Sequence, residues 1–392
     1  MSVWGKLAAR YEGQENVKHK ILALDGGGIR GILTLEILAR MEEMLAEATG
    51  GGPDFRLCHF FDYVGGTSTG AIIAAGLARG MSAKELLEFY QETGPAMFDK
   101  QFILKRWRAL YKSEPLKKEL QKTFGAGTTL KPDDLECLLL AVTRNRTTDS
   151  PWPISSNPQA KYNDTSRPDC NLNIPLWQIV RASTAAPVFF PPEVIQWDPA
   201  DEQKAFVFVD GGLTPYNNPA YLLYRMATEP GYRLNWAGGE DKLLIMSLGT
   251  GAAAAVVSDV NDPNRGLLEN VAALPSTLMY AAMIDQDTSC RFIGRCVHGA
   301  LLDREIGDMI PRDATGQMIP LSQNLGRRFL YARYNADLSR EGLDAMGLHD
   351  IKPENVQKLD SVEYIGDLRR VGRKAAEEIK IEHFGNFVPR KR

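Results

Sequence analysis

A serine between two glycines is the first feature of this sequence that could carry covalent chemistry. Ser68 lies at the centre of a Gly-x-Ser-x-Gly pattern whose outer positions are Gly66 and Gly70. An apolar segment before it, 61–64, predicts a strand, and a small-residue segment after it, 71–78, predicts a helix. A strand-to-helix turn of this kind lifts a serine hydroxyl above a sheet, where it can act as a nucleophile. The alternative is a serine that only caps the helix.

A nucleophilic serine needs a base, and the sequence offers an aspartate rather than a histidine. The apolar run 205–210 predicts a strand that ends in Asp210 and is followed by Gly211 and Gly212. Ligands of open α/β sheets bind at the carboxyl ends of the strands, so Asp210 is a candidate base. A strand-ending Asp-Gly pair is also a common turn or cap. None of the five histidines has sequence neighbours that indicate a base or a zinc site.

A glycine-rich loop follows the first predicted strand, 21–24. The loop consists of Asp25, Gly26, Gly27, Gly28, Ile29, Arg30 and Gly31. Its backbone amides could bind a phosphate or the oxyanion of an acyl-transfer intermediate. The glycine spacing is also that of a dinucleotide site, but such a site requires an acidic residue about 20 positions later, where this chain has glycines. Arg30 could steady the loop, contact a phosphate headgroup or form an ordinary surface charge.

The three motifs, taken in order, resemble those of the patatin-like phospholipase family. The glycine loop is followed by the serine motif some forty residues later and by Asp-Gly-Gly about 140 residues beyond that. Further matches are Arg-Ala-Ser-Thr-Ala-Ala-Pro at 181–187, Phe-Phe-Pro-Pro at 189–192 and Asn-Asn-Pro at 217–219. The resemblance covers roughly residues 18–250.

The resemblance implies a Ser–Asp dyad in which Ser68 is the nucleophile and Asp210 is the base. The implied oxyanion hole consists of the amides of Gly26, Gly27 and Gly28. The implied supporting motif residues are Asp25, Arg30, Gly31, Gly66, Gly70, Gly211 and Gly212. The implied reaction is hydrolysis of an ester-linked acyl chain of a phospholipid or another acyl lipid through an acyl-enzyme. It requires no metal and no organic cofactor.

The resemblance also implies a possible activator. Some bacterial stand-alone relatives are effectors of anti-phage signalling that cyclic oligonucleotides activate, so a cyclic oligonucleotide is a candidate partner here. Its site would lie in 146–170 or in the C-terminal third. The alternative function is a nucleotide- or phosphate-binding module that uses Gly26–Gly31, with Ser68 in a structural role and no hydrolase activity.

Strands that alternate with helices predict an α/β fold with a mainly parallel central sheet covered on both faces. The resemblance implies the same three-layer α/β/α architecture. We expect an acyl hydrolase domain at 18–250 and a mostly helical C-terminal part at 251–392 packed on it. Within that part we expect one more strand, 328–334, and a charged helix over 353–380. Residues 146–170 contain four prolines and predict a long loop.

Composition sets further limits on function. The 392 residues are 44% hydrophobic and 24% charged, which is typical of a globular chain. A net charge of −3 argues against an overall electrostatic interaction with a nucleic acid polymer. No apolar run approaches 18 residues, and five cysteines lack a framework spacing. The N-terminus also has no secretory apolar region, so we expect a cytoplasmic protein that acts at the membrane surface.

One segment, 97–111, combines aromatic and aliphatic residues at near-helical spacing with lysines and arginines. This pattern predicts a helix that contacts an anionic lipid surface. The alternative is a helix packed on the core with a solvated basic edge.

Overall fold

A nine-stranded mixed sheet forms the centre of the protein. The computed structural model describes residues 2–13, 17–98, 114–187, 190–198, 200–252 and 267–389. The strands are β1 (His19–Leu24), β2 (Tyr63–Thr67), β3 (Leu138–Asn145), β4 (Ser150–Ser155), β5 (Glu193–Gln196), β6 (Ala205–Asp210), β7 (Leu243–Leu248), β8 (Arg295–His298) and β9 (Leu330–Tyr334). Their order is β5-β6-β3-β2-β1-β7-β9-β8, and β4 pairs with β3 outside this path.

Six neighbouring strands, from β3 to β8 in the sheet order, are parallel to one another. The other three, β4, β5 and β6, pair in antiparallel fashion with their neighbours. The predicted mainly parallel sheet is therefore confirmed. Strand β6, which ends in Asp210, is one of the three antiparallel strands.

Helices cover both faces of this sheet. They are α1 (Ala8–Tyr11), α2 (Gly31–Thr49), α3 (Leu57–Phe60), α4 (Thr69–Ala78), α5 (Ala83–Phe98), α6 (Glu114–Phe124), α7 (Leu176–Ser183), α8 (Ala220–Thr228), α9 (Leu267–Ile293), α10 (Arg340–Ala345), α11 (Pro353–Val356) and α12 (Ile365–Ala376). Side chains of β1 alternate between the two layers, since Leu22 and Leu24 join one apolar cluster while Ile21 and Ala23 join the other. The three-layer α/β/α architecture is confirmed.

One sequence expectation for this part of the chain differs from the structure, and a second falls mostly on residues that the structure does not describe. The predicted loop at 146–170 contains a strand, β4, which pairs with β3 over six residues. The sequence pattern did not indicate this strand because Pro151 and Pro153 are typical of loops. Proline lacks an amide hydrogen, but it is tolerated in a strand that pairs on one edge only. The predicted lipid-contacting helix falls largely on 99–113, outside the described residues, while Met97 and Phe98 at its start are buried.

The chain after residue 250 contributes to the same sheet through β8 and β9. The sequence predicted only the second of these strands. Helix α12 packs on α2, where Arg369 and Arg373 both pair with Glu36. The predicted division between 18–250 and 251–392 stays a prediction. Within the described ranges, no helix combines the length and the apolar character that crossing a bilayer requires.

Candidate active site

Ser68 lies in a sharp turn between β2 and α4. Its φ of 54° and ψ of −121° place a residue other than glycine in a sparsely populated region of backbone space. A Cβ at Gly66 would collide with the backbone of Gly70, and a Cβ at Gly70 would collide with the carbonyl of Leu24. Both glycines are therefore required for the close approach of strand, turn and helix. This is the strained strand-to-helix turn that the serine motif predicts.

The hydroxyl of Ser68 donates a hydrogen bond to Asp210, with 2.6 Å between Oγ and Oδ2. Its side chain makes no cap hydrogen bond to α4, which argues against the alternative of a purely structural N-cap. The other carboxylate oxygen of Asp210, Oδ1, accepts from the amide of Gly212 at 2.7 Å. Asp210 thus serves both as the partner of the serine and as the cap of the turn that follows β6.

The register of β3 with its neighbouring strands explains why Ser68 and Asp210, which are 142 positions apart in the sequence, are in contact. Thr67, the last residue of β2, pairs with Val142, and the next residue of β3, Thr143, pairs with Asp210. Strand β6 therefore begins to pair with β3 where β2 ends. Because β6 is antiparallel to β3, its carboxyl end points back toward the serine turn.

Burial changes the acidity of the Asp210 carboxyl group. Asp210 is 5% exposed, and desolvation raises its pKa from 3.8 to about 6. The hydrogen bonds from Ser68 and Gly212 and the charge of Arg181 oppose this rise. A carboxylate with this pKa is still mostly ionised at neutral pH and is a stronger base than an ordinary aspartate.

The glycine loop reaches the serine from the end of β1. A Cβ at Gly26 would lie 3.3 Å from the Cβ of Ser68, so the loop and the turn are in contact. The amide of Gly26, however, donates to the carbonyl of Asn217 at 3.1 Å and is not available for an oxyanion. The amides of Gly27 and Gly28 have no acceptor among the described residues. The predicted oxyanion hole is thereby reduced to these two amides.

Three other glycines of the predicted motifs occupy positions where a side chain would not fit or would strain the backbone. Gly28 has a φ of +60°, in the left-handed region that favours glycine. Gly31 faces the side chain of Thr69, and Gly211 faces the carbonyl of Val142 so closely that a Cβ would collide. A side chain at any of these three positions would strain the backbone or collide with a neighbouring residue.

Asp25, at the start of the glycine loop, forms a buried ion pair that the sequence did not indicate. Arg333 on β9 donates to both carboxylate oxygens at 2.8 and 2.5 Å, and it also donates to Ser247 at 2.7 Å. Asp25 is 1% exposed and Arg333 is 2% exposed. No local signal marks Arg333, because the pair joins residues 308 positions apart. The pair fixes the loop to the part of the chain beyond residue 250.

Two further residues hold the site together. Ser183 accepts from the amide of Ser68 at 3.0 Å and donates to the carbonyl of Val142 at 2.6 Å. Asn217 accepts from the amide of Gly26, and its side chain donates to the Gly26 carbonyl at 3.4 Å. Both residues belong to segments, 181–187 and 217–219, that the sequence analysis quoted only as family matches.

Arg30 contacts a segment of the C-terminal third. Its guanidinium donates to the carbonyl of Gln357 at 3.1 Å, and burial lowers its pKa to about 10. The carbonyl of Leu359 accepts from the amide of Ile29 at 2.9 Å. Of the three roles open to Arg30, these contacts support steadying the loop.

The five histidines lie in the described part of the chain, and none hydrogen-bonds to Ser68 or Asp210. His298, beside the two C-terminal cysteines in sequence, pairs with Glu378 at 3.1 Å. Over the described ranges, no group of three or more His, Cys, Asp or Glu residues is arranged to hold a metal ion.

Comparison with known proteins identifies the class. A family model described as patatin-like phospholipase matches residues 22–224, just over half of the chain. The protein belongs to this family. The site described above lies almost wholly within the matched residues.

Individual relatives are similar over part of their length. A cGAMP-activated phospholipase of Vibrio cholerae is 32% identical over 214 residues, which are 52% of this chain and 56% of the relative. A second cGAMP-activated phospholipase, from Escherichia coli, is 32% identical over 52% of this chain and 54% of its own. Patatin-17 of Solanum cardiophyllum is 29% identical over 60% of this chain and 61% of its own. The chain thus covers less than two thirds of each relative.

The buried Asp25–Arg333 pair leads to a stability prediction. We expect Arg333→Leu to lower the free energy of unfolding by about 3–5 kcal/mol, because it leaves an uncompensated buried carboxylate. The double variant Asp25→Asn/Arg333→Leu should recover much of this loss. Urea denaturation followed by circular dichroism measures both.

A surface pair provides the control. Arg370 donates to both carboxylate oxygens of Asp350 at 2.6 and 2.8 Å, but both side chains are exposed. Arg370→Leu should cost about 1 kcal/mol or less. Equal losses for Arg333→Leu and Arg370→Leu would contradict the role assigned to the buried pair.

Proposed function

We propose that the protein is a lipid acyl hydrolase that cleaves ester-linked acyl chains through an acyl-enzyme on Ser68. The observation that carries this proposal is the 2.6 Å hydrogen bond from a serine on a strained turn to a buried aspartate. Family membership and the phospholipase names of the bacterial relatives support a lipid ester as the substrate.

Acylation begins when Ser68 Oγ attacks the ester carbonyl carbon while its proton passes to Asp210. The carbonyl oxygen becomes an oxyanion, to which the amides of Gly27 and Gly28 can donate. When the tetrahedral intermediate collapses, the ester C–O bond breaks and Asp210 returns the proton to the departing alcohol, a lysolipid in the case of a phospholipid. The acyl chain remains bound to Ser68.

Deacylation repeats these steps with water. Asp210 accepts a proton as a water oxygen attacks the acyl carbon, and the same two amides face the second oxyanion. Collapse breaks the bond to Ser68 Oγ, which recovers a proton from Asp210, and the fatty acid leaves. Water supplies the oxygen of the fatty acid and the proton that returns to Ser68, so the two steps together balance as ester plus water giving alcohol plus fatty acid.

The raised pKa of Asp210 helps this proton transfer. A hydroxyl and an ordinary aspartate differ by roughly ten pKa units, which corresponds to about 13 kcal/mol for complete transfer in the ground state. A rise from 3.8 to about 6 narrows that gap by roughly 3 kcal/mol. Because a large gap remains, proton transfer must accompany the attack of Ser68 on the carbonyl carbon. The oxyanion donors must lower the rest of the barrier, and each such donor typically contributes about 3–4 kcal/mol.

A cyclic oligonucleotide is proposed as the activator, in a role linked to antiviral defence. Two relatives carry the name cGAMP-activated phospholipase, and this supports the proposal. The alternative of a nucleotide-binding module without hydrolase activity has less support, because the side chain of Ser68 bonds to Asp210 instead of capping α4. The end of β2 also carries this serine turn where a dinucleotide site needs an acidic residue.

Substitution of either member of the dyad tests the mechanism. Ser68→Ala and Asp210→Asn should each lower ester hydrolysis by about a thousandfold or more, because each removes a group that acts in every step. A fluorophosphonate probe should label Ser68 in the wild type and should leave Ser68→Ala unlabelled. The exposed Ser166→Ala is the control and should behave as wild type. Substantial turnover by either dyad variant would defeat the mechanism.

The pH dependence of kcat/KM should reflect the ionisation of the Asp210 carboxyl group. Asp210 must be ionised to accept a proton, so kcat/KM should rise with pH through about 6 and level off above it. The residual activity of Asp210→Asn should not show this rise with pH, because an amide does not titrate. If kcat/KM of the wild type instead rose through a pH of about 4, the pKa of an unperturbed aspartate, the assignment of Asp210 as the base would be contradicted.

Activation predicts a response to nucleotide. We expect cyclic GMP–AMP to raise the rate of hydrolysis of a fluorogenic ester by about fivefold or more, the usual lower range of allosteric coupling. The linear dinucleotide of the same bases is the control and should have no effect. A rate that is already maximal without nucleotide, and unchanged by it, would argue against activation while leaving the hydrolase intact.

A further inference from the structure

The side chain of Asn217 contains a buried oxygen atom to which no described residue donates a hydrogen bond. Asn217 is 4% exposed. Its Nδ2 faces the carbonyl of Gly26 at 3.4 Å, and because a carbonyl only accepts, the nitrogen must lie at this end of the amide and Oδ1 at the other. Within the described ranges, Oδ1 has no donor. A buried acceptor without a donor is destabilising, so a donor from solvent or substrate would remove this cost.

This oxygen lies beside both members of the proposed dyad. A Cβ at Gly26 would collide with Asn217 Oδ1 and would lie 3.3 Å from the Cβ of Ser68. A Cβ at Gly212 would lie 3.1 Å from Asn217 Oδ1 and also 3.1 Å from Asp210 Oδ1, so the two oxygens are no more than twice this distance apart. The hydrogen bonds of Ser68 and Asp210 go to other partners.

The chemistry of the two oxygens defines the partner that fits between them. Both the ionised Asp210 carboxylate and Asn217 Oδ1 are acceptors, so they do not bond to each other. The carbonyl and alkoxy oxygens of an ester carry no hydrogen and cannot satisfy either one. A water molecule has two O–H donors and satisfies both.

We propose that Asn217 Oδ1 binds and orients the water that hydrolyses the acyl-enzyme. This inference rests on the proposed function, because it concerns the deacylation step at Ser68. In the acyl-enzyme, Ser68 Oγ carries the acyl group instead of a hydrogen, so Asp210 Oδ2 has lost that donor and is open to a proton of the water. The water directs one O–H to Asp210 and the other to Asn217 Oδ1.

The step balances with these assignments. The water oxygen forms a bond to the acyl carbon while its first proton passes to Asp210. The bond between the acyl carbon and Ser68 Oγ then breaks, and Oγ takes that proton from Asp210. The second proton, which Asn217 Oδ1 holds in place, stays on the incoming oxygen and leaves with the fatty acid.

Asn217 also holds the glycine loop, and a control must separate the two roles. The carbonyl of Gly26 accepts from Asn217 Nδ2 and also from Thr250 Oγ1, at 3.1 Å. A loop-holding role affects acylation and deacylation alike, because the amides of Gly27 and Gly28 face the oxyanion in both. Thr250→Val removes a donor to the same carbonyl and leaves Asn217 Oδ1 in place, so it is the matched control.

The test measures acylation and deacylation separately. Asn217→Ala, Asn217→Leu (a side chain of similar size without polar atoms) and Thr250→Val are compared with wild type on a short-chain p-nitrophenyl ester. Because kcat/KM contains only the steps up to acylation, we expect both Asn217 variants to keep kcat/KM within about threefold of wild type while kcat and KM fall together by about tenfold or more. A burst of p-nitrophenol should appear, and intact mass after acid quench should show the acyl group accumulating on Ser68.

The control should behave differently. Any loss in Thr250→Val should fall equally on kcat and kcat/KM, without accumulation of acyl-enzyme. The same pattern in both Asn217 variants would assign Asn217 to holding the loop and would overturn the proposal, as would an unchanged kcat. Loss of fluorophosphonate labelling of Ser68 in both variants would make Asn217 structural. Failure of the proposed function is distinct, since it would appear as a wild type that neither reacts with the probe nor hydrolyses the ester.

Discussion

The pairing of β3 with two different strands is the constraint on which the candidate site depends. Along β3, the partner changes from β2 to β6 between Val142 and Thr143, and this step places Thr67 and Asp210 next to each other in the sheet. The serine that follows Thr67 then needs only a sharp turn to reach the carboxylate. Ser183 reinforces the arrangement, because its hydroxyl accepts from the amide of Ser68 and donates to the carbonyl of Val142. A shift of one residue in this register would separate the proposed dyad.

As the proposed base, Asp210 must meet two requirements that conflict. A strong base needs little solvation, and burial supplies this by raising its pKa to about 6. A base must also be ionised, and further desolvation would protonate it at neutral pH. The hydrogen bonds from Ser68 and Gly212 favour the charged form and so limit the rise. The turn after β6 therefore contributes to the proposed chemistry as well as to the fold.

Local patterns indicated the two residues of the proposed dyad and the glycine loop, because each lies in a short motif at the end of a strand. Sequence reasoning was less successful wherever the outcome depended on distant segments. It gave no direction for the strand that ends in Asp210; β6 is antiparallel to β3, and the contact with Ser68 arises from the register of β3. It assigned an oxyanion role to Gly26, whose amide is taken by a carbonyl 191 residues away in sequence. It had no means of finding Arg333, because an arginine within a strand carries no sign of its partner.

The C-terminal third is coupled to the site by contacts rather than by motifs. Arg333 holds Asp25 from β9, and the carbonyl of Leu359 accepts from the amide of Ile29. Both contacts fall on the glycine loop, whose Gly27 and Gly28 amides are the remaining candidate oxyanion donors. The hydrogen bonds that hold Ser68 and Asp210, in contrast, come from residues before 250. A displacement of the C-terminal segments would therefore alter stabilisation of the oxyanion while leaving the Ser68–Asp210 hydrogen bond in place. A nucleotide that acted on this part of the chain would change the rate of attack without rebuilding the dyad.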